Sequence, residues 1–505
     1  MPDAPGSAGS RQVVVGGLWR VAATLLPMVS ALGLSVAVSR VLGAEGLGLQ
    51  SLLSYVQGFV LNTFVLSLTQ AGIQLLSAAR GAGDEASLGW LRRWSLQVHA
   101  VVGGLLSLLL LGLGVLRGES LVLWGVIAAT AVVDALAYAL TVRVVTYDGW
   151  ARVSQRRLLS QGLGPLLGIA AVLGGLGLQG VFLGQLVGSS YLLLALLLLQ
   201  RRVPRTPAAG PRPALGPVAK VWLGFVLTLV LTQVVERRVE LVFLDLFAGP
   251  RDVGLFSAAF TLVSVAVAAS AAVTGAALPA VARSYAAGST QQLEEVVGRA
   301  LRVLAAGTPV LVAGVLVVGP VALAALYGED LAEGAPLLRG LSLVLVAAPV
   351  AGALAAVELG TGRVRRVVRA GLLAAGTDIG LCLLLVPPLA APGAVVASVS
   401  AQLVYVGALL VGARSSSGVR SLRPALLARP LLVAVLAGAL AAVPAALLPV
   451  WPAVVTGGLL FLAVAGALAV LVRPLRADDS RWLAGVVPGP MRRAVSLLGR
   501  RAGGR

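Results

Sequence analysis

Residues 232–260 read TQVVERRVELVFLDLFAGPRDVGLFSAAF, a segment that is apolar enough to cross a bilayer apart from one group of charges. A charge in hydrocarbon costs from about 3 to more than 10 kcal/mol, so such side chains face protein or a water-filled cavity. We therefore expect a functional site at this group. Pairing of the arginines with a neighbouring glutamate in a purely structural network is the alternative. The charged residues are Glu236, Arg237, Arg238 and Glu240.

The same stretch contains one copy of a sequence repeat. Residues 43–51 (GAEGLGLQS) match residues 249–257 (GPRDVGLFS), and each copy leads into an apolar segment. Two halves with the same signature indicate an internally duplicated membrane protein, and duplicated transporters commonly bind substrate where the repeats meet. The charged group lies at the start of the second half.

The composition indicates a polytopic membrane protein. Of the 505 residues, 58% are hydrophobic and 12% are charged, whereas soluble domains are about 45–50% apolar and about 25% charged. The mean hydropathy is +0.96. The connections between apolar blocks are too short for a soluble domain of about 50 residues. Any function is therefore carried by the membrane bundle itself.

The charge and the cysteine usage exclude other classes of site. The net charge of +19 would suit nucleic acid, but its distribution among the membrane loops explains it better, and we expect no nucleic-acid partner. The chain has one cysteine, Cys382, and one histidine, His99. This excludes an intramolecular disulfide and argues against a metal site.

Apolar segments of about 20 residues, the length of a transmembrane helix, recur fourteen times. We expect an all-α polytopic protein with two seven-helix halves around a central cavity. The segments are 14–38, 49–76, 97–116, 121–142, 158–177, 179–200, 219–247, 253–279, 300–327, 337–359, 367–388, 392–413, 425–447 and 451–472.

The basic residues predict the orientation, because Lys and Arg are retained on the cytoplasmic side. If the N-terminus is inside, 32 of the 39 basic residues fall on the inner side, four on the outer side and three within the membrane. We expect a multi-pass protein of the cell membrane with both termini in the cytoplasm. The predicted divisions are a lead-in (1–13), an N-terminal half (14–200), a basic Pro-rich linker (201–218), a C-terminal half (219–472) and a basic tail (473–505) that can contact membrane lipids.

Polar residues within the apolar segments are the further site candidates. Gln70 and Gln74 share one helix stripe with Thr63 and Ser67, and the stripe either lines a passage or bonds neighbouring helices. Arg20 lies a short way into the first segment, where it either faces a cavity or extends back to the headgroups.

Two embedded carboxylates, Asp134 and Asp378, are candidates for binding a coupling ion. Asp134 has Tyr138 and Thr141 one and two turns on. Such a carboxylate either carries a proton or sodium ion or neutralises an arginine on a neighbouring helix. No other cofactor is expected. The sequence contains no nucleophile elbow, P-loop or Cys/His cluster, so it indicates a non-enzyme.

Several local patterns occur along nearly the whole chain in a fixed order. They are RVLGAEGLG at 40–48, DVGLFSAAF at 252–260, LPAVARSY at 278–285, LYGED at 326–330, APLL at 335–338, LGTGR at 359–363 and APGAVVAS at 391–398. Together they resemble the bacterial polysaccharide (O-antigen-type) flippases of the multidrug/oligosaccharidyl-lipid/polysaccharide (MOP) exporter superfamily.

The resemblance implies a flippase that moves an undecaprenyl-diphosphate-linked oligosaccharide across the inner membrane for surface polysaccharide biosynthesis. It implies cationic cavity residues that bind the diphosphate, a role that we carry to Arg237 and Arg238 and also to Arg20. Glu236 and Glu240 depart from a simple cationic site. A polysaccharide polymerase and glycosyltransferases are the implied partners.

Three alternatives remain open at the level of sequence. Two are relatives with other cargo, namely a cell-wall precursor (lipid II-type) flippase and a cation-coupled multidrug exporter. The third is a membrane polysaccharide polymerase or ligase, which the short outer connections disfavour because such enzymes need a sizeable outer loop.

Overall fold

The structure is a computed structural model that describes residues 8–147, 149–204, 215–235, 238–286, 290–413, 427–486 and 495–499. These residues are almost entirely helical and include no β-strand. The helices are α1 Ala8–Val60, α2 Ser67–Gly81, α3 Glu85–Leu116, α4 Leu121–Thr146, α5 Trp150–Ala171, α6 Gly177–Gln200, α7 Leu215–Val235, α8 Glu240–Phe247, α9 Pro250–Ala286, α10 Thr290–Tyr327, α11 Glu329–Ala332, α12 Ala335–Leu341, α13 Val344–Gly360, α14 Val364–Leu389, α15 Ala391–Ala413, α16 Ala428–Leu447, α17 Val450–Val472 and α18 Ala477–Val486.

The number of membrane crossings agrees with the sequence. Eleven stretches of the described residues are long and apolar enough to span a membrane. Leu26–Gly81 and Trp150–Gln200 have 56 and 51 residues, about 80 Å as straight helices, against roughly 30 Å of hydrocarbon. Each is broken at a glycine, Gly43 with φ 71° and Gly175 with φ 87°, and so supplies two crossings. With α7 added, the prediction of an all-α protein with about fourteen transmembrane helices is confirmed.

The two copies of the sequence repeat form the same kind of backbone turn. Gly43 has φ 71° and Gly249 has φ 102°, a region that glycine adopts without the steric penalty of a Cβ atom. Pro250 follows as the first residue of α9, the position where proline is best tolerated. Both copies of the repeat therefore place a glycine at a positive φ.

Residues 23–239 form one compact unit. Within it α3 packs on α4, α5 packs on α6, and α4 also packs on α6. Leu140 and Leu196 are buried where α4 meets α6. Helix α2 contacts α3, α4 and α7, and the indole Nε1 of Trp222 in α7 donates a 2.9 Å hydrogen bond to the hydroxyl of Ser67 in α2.

This unit ends later in the chain than the predicted linker 201–218. Helix α7 packs with the helices that precede it and belongs to the unit of residues 23–239. The predicted halves, which depend on the sequence repeat and on composition, stay a prediction.

Glycines allow α5 and α6 to approach closely. A Cβ atom on Gly184 would lie 2.3 Å from the backbone nitrogen of Gly168, and one on Gly188 would lie 3.0 Å from the Cα atom of Gly164. No side chain fits into such a contact. Ser160 strengthens it by donating a 2.7 Å hydrogen bond to the carbonyl oxygen of Gly188.

Glu240 onward, together with the first helix up to Ala22, forms the second compact unit. In it α9 packs on α10 and α13, α14 packs on α15, and α16 packs on α17 and α10. Phe461 and Ala437 are buried in the apolar core that α10, α16 and α17 share.

The first part of the tail is bound to this second unit. Helix α18 contacts α9 and α10. Both Nε and an Nη atom of Arg302 in α10 donate to the carboxylate of Asp479 in α18, at 2.9 and 2.7 Å. The two side chains are 13% and 1% exposed, so this pair is largely shielded from water.

Candidate functional site

The unit of residues 23–239 contains a polar cavity of about 390 Å³. It lies among α1, α4, α5 and α6. The apolar wall includes Pro27, Leu34, Ala137 and Leu192. The polar side chains that line it are Gln50, Ser54, Asp134, Tyr138, Arg157, Ser160, Gln161, Gln185 and Ser189.

Helix α4 supplies two of the polar residues. Asp134 and Tyr138 are four residues apart, so they project from one helix face, and both line the cavity. Thr141, the third residue that the sequence placed on this face, is buried and donates its hydroxyl to the carbonyl oxygen of Ala137 at 3.0 Å. The structure therefore brings Asp134 and Tyr138 together and leaves Thr141 outside the cavity.

Arg157 of α5 is the cation of the cavity, and sequence reasoning missed it. Its guanidinium carbon lies 4.8 Å from the centroid of the Tyr138 ring, a cation–π distance. Its charge also lies close enough to interact with the carboxylate of Asp134, which has the Ser189 hydroxyl beside it. The positive-inside count assigned Arg157 to a cytoplasmic loop. In the structure it lies within α5, which begins at Trp150.

A pattern in the sequence could have found Arg157. Arg157, Ser160, Gln161 and Gly164 occupy positions i, i+3, i+4 and i+7, and this spacing places the four residues on one helix face. All four line the cavity.

The part of α1 that follows Gly43 contributes two polar residues to the cavity lining, Gln50 and Ser54. The Gln50 amide donates to the Ser54 hydroxyl at 3.0 Å. Gln57 is on the same helix face, one turn further on, and is 1% exposed. Neither its amide oxygen nor its amide nitrogen has a hydrogen-bond partner among the described residues. The polar character of this face therefore extends beyond the lining of the cavity.

The predicted diphosphate residues are only partly described. Arg237 and Glu236 lie outside the described residues. Arg238 is half-buried in the turn that precedes α8. Arg20 is in α1, but its side chain lies outside the described part of the chain. Their role in binding a diphosphate stays a prediction.

The predicted polar stripe of the second segment divides into two parts. Thr63 and Ser67 are buried, and Ser67 accepts the hydrogen bond from Trp222. Gln70 and Gln74 are exposed on α2. Residues 61–66 form a π-helix, whose wider turn rotates Thr63 away from the direction that α-helical spacing predicts.

Asp378 lies in the second unit and has a second carboxylate near it. Asp378 of α14 and Glu240 of α8 are 2% and 1% exposed, and their charges are close enough to interact. The Cys382 thiol donates to an Asp378 oxygen at 3.7 Å. Among the described residues, no group of three or more His, Cys, Asp or Glu side chains has the arrangement of a metal site.

The fold resembles solved structures of transporters. The lipid II flippase MurJ, in an inward-closed conformation, aligns with a TM-score of 0.73 and 12% identity over 89% of this chain and 97% of that chain. An inward-facing multidrug resistance MATE transporter of the MOP superfamily aligns with a TM-score of 0.66 and 16% identity over 79% and 98%. A MOP superfamily transporter from Pyrococcus furiosus aligns with a TM-score of 0.55 and 16% identity over 79% and 96%.

The chain shares its fold with these three structures. No family model matches the sequence, and no curated protein matches it. The similar structures are a flippase and transporters.

Proposed function

We propose that the chain is a flippase that moves an undecaprenyl-diphosphate-linked oligosaccharide from the inner to the outer leaflet for surface polysaccharide biosynthesis. The observation that supports this best is the cavity of amide and hydroxyl groups inside a bundle that shares its fold with a lipid II flippase. A polar headgroup pays a large desolvation penalty in hydrocarbon. A polar compartment within the bundle removes that penalty by replacing the hydrogen bonds that water made.

Arg237 and Arg238, with Arg20 as a further candidate, are proposed to bind the diphosphate. Arginine suits this role because its planar guanidinium donates two parallel hydrogen bonds to phosphate oxygens. The half-buried position of Arg238 next to the start of α8 is compatible with this role.

The proposed coupling ion is a proton or a sodium ion, and Asp378 with Glu240 is the favoured site. Both carboxylates are buried and their charges are close enough to interact, and a carboxylate inside a membrane bundle can carry a proton or a sodium ion. Asp134 is the second candidate, and it shares its cavity with a cation, Arg157.

The proposed orientation places both termini in the cytoplasm, because most basic residues then fall in connections on the cytoplasmic side of the membrane. A polysaccharide polymerase on the outer side and glycosyltransferases on the inner side are the partners that this function requires. Translocation then proceeds by alternating exposure of the substrate site to the two sides of the membrane.

The test is a clean deletion of the gene, with both surface polysaccharide and undecaprenyl-linked saccharides measured. We expect the surface polymer to be lost while full-length lipid-linked units accumulate unpolymerised. Restoration by the wild-type gene is the control. If both quantities stay at the wild-type level, the proposal is wrong.

Two other cargoes have support from the structural comparison. Similarity to a lipid II flippase favours a cell-wall precursor, and the deletion strain would then accumulate that precursor instead. Similarity to a multidrug resistance transporter favours drug export, and expression of the chain would then confer resistance and move dyes. A polymerase or ligase has no such support, because the similar structures are transporters.

A further inference from the structure

The charges that line the cavity balance each other. Of the described lining residues, Asp134 from α4 and Arg157 from α5 carry formal charges. The lining residues of α1 and α6, which include Gln50, Ser54 and Gln185, are uncharged. One carboxylate and one guanidinium leave the described lining without a net formal charge.

The other polar groups of the cavity are hydrogen-bonding groups without charge. Three amides and three hydroxyls line it, together with the phenol of Tyr138. Amides and hydroxyls each both donate and accept. Buried Gln57 lies outside the lining, on the same helix face as Gln50 and Ser54, and its amide has no hydrogen-bond partner among the described residues. Groups of this kind require a polar occupant, either water or the hydroxyls of a ligand.

We propose that this cavity binds the neutral sugar part of the cargo and that the diphosphate is bound elsewhere. This inference depends on the proposed function and adds a subsite to it. A diphosphate needs an excess of cationic donors, and here the one arginine of the lining has a carboxylate near it. The hydroxyls of a sugar both donate and accept hydrogen bonds, so they match amides and hydroxyls. A neutral sugar also needs no opposite charge in the lining.

The same geometry disfavours an organic cation as the occupant. A lipophilic cation is held by a net negative charge or by the open face of an aromatic ring. The carboxylate of Asp134 shares the cavity lining with the Arg157 cation, and the face of Tyr138 is covered by Arg157 at 4.8 Å. Both features that would attract a cation are therefore already occupied within the protein.

The first test measures protection of a cavity thiol in purified protein. Ser54→Cys places a reactive thiol in the cavity lining, and Ser77→Cys, on the exposed side of α2, is the matched control. The native Cys382 is buried, so it adds little background labelling by maleimide. The probes are glucose, galactose and N-acetylglucosamine, compared with inorganic pyrophosphate and tetraphenylphosphonium.

We expect at least one sugar to slow maleimide labelling of the Ser54→Cys variant, roughly tenfold at a concentration about ten times its Kd. Labelling of the Ser77→Cys variant stays unchanged, and pyrophosphate and tetraphenylphosphonium have no effect on either. Protection by pyrophosphate or by tetraphenylphosphonium, or no protection by any of the sugars, overturns the proposal.

The second test uses the charge pair in cells. Asp134→Asn and Arg157→Gln each leave one uncompensated charge in the cavity, so each alone lowers export of surface polymer roughly tenfold or more. The double variant is neutral again and regains export to within about threefold of the wild type. If Arg157 instead binds the diphosphate, the double variant stays as inactive as Arg157→Gln. Protein levels are measured in the same membranes.

The two proposals fail in different ways. If deletion of the gene leaves surface polymer and lipid-linked saccharides unchanged, the proposed function is wrong whatever the labelling shows. If the deletion blocks translocation but no sugar protects the Ser54→Cys variant, the flippase function stands and the sugar subsite is wrong.

Discussion

At the scale of single residues, the arginines next to α8 are expected to be the binding groups for the diphosphate. Replacing Arg237 and Arg238 together with alanine removes up to four charge-assisted hydrogen bonds to phosphate, each stronger than a neutral one. We expect surface polysaccharide to fall by more than about a hundredfold, since the loss of even two of these four hydrogen bonds, at roughly 1.5–3 kcal/mol each, is enough for that decrease. Membrane levels of the protein stay unchanged, as measured by immunoblot.

The matched control for these arginines is Arg251→Ala. Arg251 forms an exposed pair with Glu333 at 2.8 Å, and such pairs contribute little. Its replacement leaves export near the wild-type level. Normal export by the variant that lacks Arg237 and Arg238 would remove both residues from the mechanism.

Gly184 gives a residue-scale test of the contact between α5 and α6. A Cβ atom there would lie 2.3 Å from the backbone nitrogen of Gly168, and overpacking of this kind costs about 1–3 kcal/mol. We expect Gly184→Ala to lower the thermal midpoint of purified protein in detergent. Gly104→Ala in α3, where no atom lies within 4 Å, is the control and gains up to about 1 kcal/mol of helix propensity. Equal midpoints for the two variants would contradict the close contact.

Single residues also show where sequence reasoning succeeded and where it failed. Asp134 and Tyr138 were placed together because their spacing of four residues fixes a shared helix face. Arg157 was assigned to a loop because the positive-inside rule counts charges by their position between apolar runs. That rule carries no information about a basic residue in the first turns of a helix, whose long side chain can reach into the bundle.

At the scale of elements, the apolar runs predicted the crossings because their length matches the membrane thickness. Their ends were less predictable. Helix α3 begins at Glu85, well before the apolar segment at 97, because Asp84 caps it by accepting a 2.9 Å hydrogen bond from the Ser87 backbone nitrogen. The hydrogen bonds from Ser87 also hold the pKa of Asp84 below its ordinary value. An apolar count does not detect such a polar helix start.

The π-helix of residues 61–66 is a second element that the sequence did not reveal. Helix type here depends on how α3, α4 and α7 pack against this segment, which a local pattern does not contain. Ser67 accordingly bonds to Trp222 of α7, while Gln70 and Gln74 are exposed. The four residues that α-helical spacing placed on one stripe are therefore divided between a buried and an exposed environment.

Helix α18 gives an element-scale prediction. Asp479→Ala leaves Arg302 without the carboxylate that binds it at 2.7 and 2.9 Å, and breaking a buried pair costs about 3–5 kcal/mol. We expect α18 to detach, so that trypsin cleaves after Arg481 more than about tenfold faster. Fragments are identified by mass spectrometry.

The neighbouring carboxylate supplies the control for α18. Asp478 pairs with Arg481 at 2.6 Å, but the two side chains are 64% and 75% exposed, and such pairs contribute about 0–1 kcal/mol. Asp478→Ala should therefore leave the cleavage rate within about threefold of the wild type. Similar rates for the two variants would show that Arg302 does not hold α18 in place.

At the scale of the whole molecule, the distribution of arginines predicts the orientation. Ala82→Cys lies in the connection between α2 and α3, and Ser120→Cys lies between α3 and α4; both positions are exposed. Since the termini are predicted to be cytoplasmic, a membrane-impermeant maleimide should label Ser120→Cys in intact cells. It should label Ala82→Cys only after permeabilisation. The reverse pattern would invert the predicted topology.

The buried carboxylates of the second unit predict how transport is driven. Asp378 and Glu240 are 2% and 1% exposed and interact through their charges. A carboxylate inside a membrane bundle can carry a coupling ion, so replacing either one removes a ligand for that ion. We expect Asp378→Asn and Glu240→Gln to lower export by about tenfold or more, a loss of roughly 1.4 kcal/mol or greater in coupling. The residual export should no longer respond when the proton or sodium gradient is collapsed with a selective ionophore.

Glu358→Gln is the control for loss of a buried carboxylate in the same unit. Glu358 is 3% exposed and pairs with Arg366 at 3.3 Å, so its carboxylate already has a structural role in an ion pair. This variant is expected to keep its response to the gradient even if its stability falls. The ionophore that abolishes wild-type export identifies the ion. Gradient-dependent export that survives in both Asp378→Asn and Glu240→Gln would place the coupling site elsewhere and return Asp134, which lines the polar cavity, to consideration.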